Sequence, residues 1–176
     1  FFGTANANMI NIELDNVNPS VGETVSVNIN MTDIMSDFSA FTVGFHFDSS
    51  IFEFVDDSTS SYFPISDIFA ADPSGLDIDT FSAPSGDLIF SLFSFTDPEV
   101  VYGAGDYLVA SFDLLAIAEG QSSLSLLDTF LFAPDFGPQT ALDKSDSTAS
   151  IAVSAPSSMA FMGLAVLGFL GFRRKA

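Results

Sequence analysis

Phe41-Thr42-Val43-Gly44-Phe45-His46-Phe47 alternates large apolar residues with small or polar ones at a period of two. In an extended chain successive side chains point to opposite faces. The stretch therefore gathers four apolar groups on one face and sets Thr42, Gly44 and His46 on the other. That is a strand half-buried against a core. The same rhythm recurs on either side: Ile10, Ile12 and Leu14 alternate with polar residues, and so do Val25, Val27, Ile29 and Met31. Further strands are predicted at 51–55, 76–81, 88–95, 107–116, 122–132 and 148–153, and residues 9–153 show no sustained helical spacing. Turn chemistry separates them: Asn18-Pro19-Ser20 with Gly22, Asp48-Ser49-Ser50, Asp72-Pro73-Ser74-Gly75, Pro84-Ser85-Gly86 and Glu119-Gly120. About nine short strands without intervening helices predict an all-β fold, an antiparallel jelly-roll β-sandwich.

Composition narrows what such a sandwich can meet. The 176 residues hold 23 acids, and all of them lie between Glu13 and Asp146, where the one base is Lys144. Residues 8–153 thus carry a formal charge of −22. Nucleic acid is excluded as a primary partner, because phosphate neutralisation needs clustered Lys and Arg. Docking of this body on anionic lipid is disfavoured for the same reason. So acidic a surface suits salty water, where screening relieves its self-repulsion. Cysteine is absent, which removes disulfides and thiolate metal sites.

The two ends read differently from the body. Phe1-Phe2-Gly3-Thr4-Ala5-Asn6-Ala7 passes from bulky apolar to small residues and has the small-x-small pattern of a signal-peptide cleavage site. Residues 1–7 are thus expected to be the end of a secretory signal peptide, with Asn8 as the mature N-terminus. At the other end, the uncharged apolar stretch 159–172 precedes Arg173, Arg174 and Lys175. Fourteen helical residues span only about 21 Å, short of the roughly 30 Å hydrocarbon core, so the run alone also fits a buried helix. Its three glycines and the terminal basic cluster favour a C-terminal transmembrane helix whose bases stay in the cytoplasm. The body then lies outside.

The segment Val153-Ser154-Ala155-Pro156-Ser157, followed by the Gly/Leu-rich stretch containing Phe161, Leu164, Leu167 and Phe172 and by the basic residues 173–175, resembles the PEP-CTERM sorting signal. The family's first Pro and its Glu are replaced here by Ser154 and Ala155. The resemblance implies an exosortase-type processing enzyme and anchoring in the inner membrane before cleavage near residues 153–157. It also implies an exopolysaccharide or biofilm setting, with the product at the cell surface or outside the cell. The sorting tail is assigned to 154–176 and the sandwich to 8–153.

A second resemblance lies in the body. Val17-Asn18-Pro19-Ser20-Val21-Gly22 with the Val-rich strand after it, the strand ending in Asp48, and Ile51 with Phe54-Val55 are similar to the opening of a cohesin domain. The run from Gly105 to Leu126 resembles that family's chain before its last strands. The resemblance implies a jelly roll related to carbohydrate-binding modules and, in cellulosomes, a calcium-loaded dockerin partner bound on one sheet face.

Chemistry is harder to find. The single His46 falls on the polar side of its strand, and no Ser sits in a G-x-S-x-G elbow, so an enzyme is not expected. No cofactor is required. Asp56 and Asp57, with Asp72, Asp77 and Asp79 around Gly75, offer the hard oxygens that suit Ca2+; the competing reading is turn-forming Asp. Sugar binding would call for exposed Trp or Tyr, and the chain has no Trp and only the scattered Tyr62, Tyr102 and Tyr107. The stretch 88–95 carries large apolar groups on both faces. It reads either as a bulged central strand or as a partner surface built on Phe90, Phe93 and Phe95. These readings lead to an exported, non-catalytic binding or structural module of the envelope or matrix. The alternative is an adaptor for a dockerin-bearing or carbohydrate partner, and a secreted hydrolase comes third.

Overall fold

The computed structural model describes residues 8–66, 74–80, 83–93, 100–134, 137–146 and 148–155. The expected signal-peptide end, the expected membrane stretch 159–172 and the basic residues 173–175 lie outside the described residues. Among the described residues no helix is long and apolar enough to cross a membrane.

Eleven strands are described: β1 (Met9–Leu14), β2 (Thr24–Ile34), β3 (Ala40–His46), β4 (Phe52–Phe54), β5 (Gly75–Asp79), β6 (Asp87–Phe93), β7 (Gly105–Ala116), β8 (Gly120–Phe132), β9 (Gln139–Ala141), β10 (Asp143–Asp146) and β11 (Thr148–Val153). One sheet has the order β10-β1-β2-β7-β4. The other runs β11-β8-β3-β6-β5, with β9 paired to β8. The inward residues of both sheets form one core that includes Val27, Ile29, Phe41, Phe45, Leu88, Phe90, Phe112 and Leu114, all buried. Period-two alternation in β2, β3, β6 and the second half of β7 selects these residues, as the sequence implied.

Two expectations need correction. The sandwich is not wholly antiparallel, because β10 runs parallel to β1, with Met9 opposite Asp143. The count exceeds nine because β9 and β10 carry almost no apolar alternation. They are polar edge pieces, and β10 covers the otherwise open edge of β1.

The structure forms the predicted turns at Asp48-Ser49-Ser50 and Pro84-Ser85-Gly86, and Asp72 and Pro73 of another lie outside the described residues. Asp48 accepts hydrogen bonds from the Ser50 backbone N–H (2.9 Å) and from the Ser50 hydroxyl (2.6 Å). Together these hold its carboxyl below the usual carboxylate range. At Pro84-Ser85-Gly86 a single 3-10 turn (Ala83–Ser85) ends on Gly86 at φ +92°.

Candidate binding surfaces

The outward face of the second sheet is centred on Gly44 of β3. Opposite it, β8 bulges: Val43 pairs with Thr129 and Phe45 with Leu126, so Leu127 and Asp128 together face one residue. The extra residue restores inward pointing on both sides of the bulge, burying Leu124, Leu126 and Leu131. It also turns Leu127 outward over the glycine. A Cβ at position 44 would meet the Leu127 Cβ at 2.8 Å, so only glycine fits beneath it. On the other flank Gly44 pairs with Ile89 of β6. Ile89 (37% exposed) and Leu127 (42%) thus form an exposed apolar pair on a face that also carries Thr42, His46, Ser91, Ser123 and Ser125, with the partly buried Phe93, Phe130 and Phe132 toward one end.

The expected partner surface at 88–95 therefore takes another form. Strand β6 pairs with β3 and β5 without a bulge. Its plain alternation sends Phe90 into the core, where its ring stacks on Phe112 at 5.5 Å. Phe93 is half-buried at the end of the strand, and Phe95 lies outside the described residues. The residue that reaches solvent is Ile89, which stands on the opposite parity of the strand from Phe90.

The acids proposed for calcium are distributed over both sheets. Asp56 and Asp57 form a turn after β4 at the edge of the first sheet, with Asp57 at φ +61°. Asp77 and Asp79 share one side of β5 in the second, opposite Ser91 and Ile89. Asp72 lies outside the described residues. Asp56, Glu53 and Thr80 line one cleft of about 430 Å³ between β4 and the 3-10 turn, together with Phe52, Phe54 and Pro84. Among the described residues no three His, Cys, Asp or Glu side chains are grouped to hold a metal. His46 is exposed, as expected for the polar side of β3, and its Nδ1 stands 2.7 Å from Asp87 Oδ1. Of the sorting motif, Val153 ends β11, and Ser154 with Ala155 follows it on the surface. Pro156 and Ser157 are not among the described residues.

Tertiary structure creates one further surface. Tyr62, Tyr102 and Tyr107 meet at one end of the sandwich, although Tyr62 stands forty residues or more before the other two. The Tyr62 and Tyr107 rings lie edge-to-face at 5.2 Å, and Tyr102 and Tyr107 at 6.3 Å. Phe63 packs against all three, and Phe38 stacks on Tyr102 at 5.5 Å. No spacing rule could have found this cluster, because its members sit on β7 and on two loops.

Burial pushes the phenols of Tyr102 and Tyr107 above their ordinary value of 10.0. Tyr62 adds to this for both, Tyr107 adds to it for Tyr102, and Asp37 adds to it for Tyr107. The folded chain thus holds these protons more tightly than the unfolded one does. As pH rises past about 10 the unfolded state loses its protons first, so stability falls there and is unaffected by these groups below it. Urea midpoints taken between about pH 8 and 11 are expected to be level and then to drop above about 10; a rise there would contradict the burial of these phenols.

Residues 10–87 match the family model of the cohesin domain, and residues 152–175 match the PEP-CTERM protein-sorting motif. A type II cohesin domain from the cellulosome of Acetivibrio cellulolyticus is 23% identical and superimposes with a TM-score of 0.59, covering 83% of this chain and 95% of that one. The cohesin module of a family 33 glycoside hydrolase from Clostridium perfringens is 13% identical (TM-score 0.58; 85% and 99% covered). A chain of a type I cohesin–dockerin complex from Clostridium thermocellum is 12% identical (TM-score 0.62; 87% and 99% covered). No curated protein matches the chain. The chain carries a cohesin-like domain followed by a PEP-CTERM-type sorting signal.

Proposed function

We propose that this cohesin-like domain, delivered by a PEP-CTERM-type sorting signal, is an exported non-catalytic binding module. Its tail holds it at the inner membrane until an exosortase-type enzyme cleaves near residues 153–157. It then works at the cell surface or in the extracellular matrix, in an exopolysaccharide or biofilm setting. The observation that carries this reading is the union of the two matches in one chain, a binding fold and a sorting motif. The end of β11 supports it as well. Ser154 is tied to the body by hydrogen bonds with Pro19 and Val21, and the chain reaches the surface at Ala155, where a processing enzyme could reach it.

A protein partner of the dockerin type is the second reading, favoured by the cohesin–dockerin complex among the similar structures. The Ile89–Leu127 pair over Gly44 supports it, because exposed apolar groups on an outward sheet face supply anchors for an interface. Mass spectrometry of the mature protein recovered from producing cells tests the primary reading. Asn8 is expected as the first residue and a C-terminus near 153–157. Released protein that retains 161–172 would overturn it.

A further inference from the structure

We propose that the tyrosine-bearing end of the sandwich is a binding site for a neutral polysaccharide. Tyr62 is the exposed member of the cluster, at 61%. It is nevertheless held firmly. Its backbone N–H donates to Leu108 O (3.1 Å), the neighbouring Ser61 hydroxyl donates to Val109 O (2.6 Å), and the Phe63 N–H donates to Ser61 Oγ (3.1 Å). The rings of Phe63 and Tyr107 brace it from within the cluster. An aromatic ring fixed in this way meets a ligand without losing rotamer freedom. Met35 and Val101, on the chain segments that carry Phe38 and Tyr102, are also exposed apolar residues. Asp37, whose charge reaches Tyr107, contributes a carboxylate that can accept hydrogen bonds from sugar hydroxyls.

Charge decides among occupants. The formal −22 of residues 8–153 repels uronates, sulfated glycans, anionic lipid and a second copy of the chain. A neutral sugar has an apolar face for the phenol ring and hydroxyls for the acceptors, and it incurs no such repulsion. A protein partner has a better-suited surface in the exposed apolar Ile89–Leu127 pair.

Position agrees. Val21 N–H donates to Ser154 O (2.9 Å) beside the Thr24 end of β2, so the chain leaves toward its tail there. Tyr107 lies opposite Met31, and Gly105 opposite Ile34, at the other end. Strand β2 separates the two ends by about 33 Å at ~3.3 Å per residue. With the tail at the membrane, the tyrosine end faces outward; this orientation, though not the binding itself, rests on the sorting reading above.

The chain has no Trp and only these three Tyr, so its intrinsic emission above roughly 300 nm reports on the cluster alone. The test titrates the full chain in detergent with cellohexaose, xylohexaose, mannohexaose and polygalacturonate, following tyrosine emission and calorimetry. At least one neutral oligosaccharide is expected to give a saturable change. Tyr62→Ala should weaken it about tenfold, the scale of one lost ring contact. Tyr62→Phe and Leu127→Asp should retain it. The proposal is overturned if no neutral probe saturates, if polygalacturonate binds as tightly, or if Leu127→Asp removes binding as fully as Tyr62→Ala does. Retention of a displayed peptide library through Tyr62, with no glycan bound, would likewise overturn it in favour of a protein partner. Correct tail processing in a chain that binds no sugar would leave the sorting proposal standing and remove this one.

Discussion

Phe112→Ala is expected to lower the unfolding free energy by about 3–5 kcal/mol, the range for deleting a large ring from a packed core. The reason is where the ring sits. Phe112 lies on β7 in the first sheet, and its ring packs edge-to-face on Phe45 at 5.1 Å and stacks on Phe90 at 5.5 Å. Both of those belong to the second sheet. Phe54, on the neighbouring β4, completes the group at 6.0 Å. One substitution therefore removes contacts that join the two layers, and the strands around the resulting void are held by their ladders and collapse poorly into it. Urea denaturation followed by circular dichroism measures the loss. A cost below about 1.5 kcal/mol would mean that the layers hold together without this ring. Ile89→Ala, on the outward face, gives the contrast of an exposed apolar residue, at roughly 0.5 kcal/mol or less.

The second large effect comes from a residue with no side chain. Gly86 has φ +92°, and a Cβ there would fall inside the van der Waals radius of the Phe47 carbonyl oxygen. The two backbones are drawn together because Phe47 N–H donates to Gly86 O at 2.8 Å, joining the end of β3 to the start of β6. Gly86→Ala must both enter the left-handed region, at a cost of about 1–2 kcal/mol, and push the paired backbones apart. The total is expected to reach about 3 kcal/mol or more. Gly22 supplies the control, since it has the same φ of +92° and open space where a Cβ would stand. Gly22→Ala should therefore cost only the conformational part. Equal losses at the two positions, measured by the same denaturation, would show that the close approach at Gly86 contributes nothing.

Much of the fold was legible because alternation is local. Residues 41–47 state their inward face within one short run, and β2 and β6 do the same with Val25 to Met31 and Leu88 to Leu92. The misses have physical causes. Strands β9 and β10 carry little apolar signal because edge strands bury little, and the parallel pairing of β10 with β1 is a choice between distant segments that no local pattern records. At 88–95 the sequence offered two parities. The continuous ladders to β3 and β5 selected the one that buries Phe90 and exposes Ile89.

The sequence by itself determined the class of the fold, the acidity that rules out polyanionic partners, and the sorting motif at its end. Each is written in composition, or in a run short enough for neighbouring residues to specify. Only the tertiary structure decided which surface residues stand together. The β8 bulge that lifts Leu127 over Gly44, and the meeting of Tyr62, Tyr102 and Tyr107, arise from pairings between strands and loops far apart in the chain. Such pairings are fixed by the burial of the whole core, and a residue's neighbours in sequence carry no record of them.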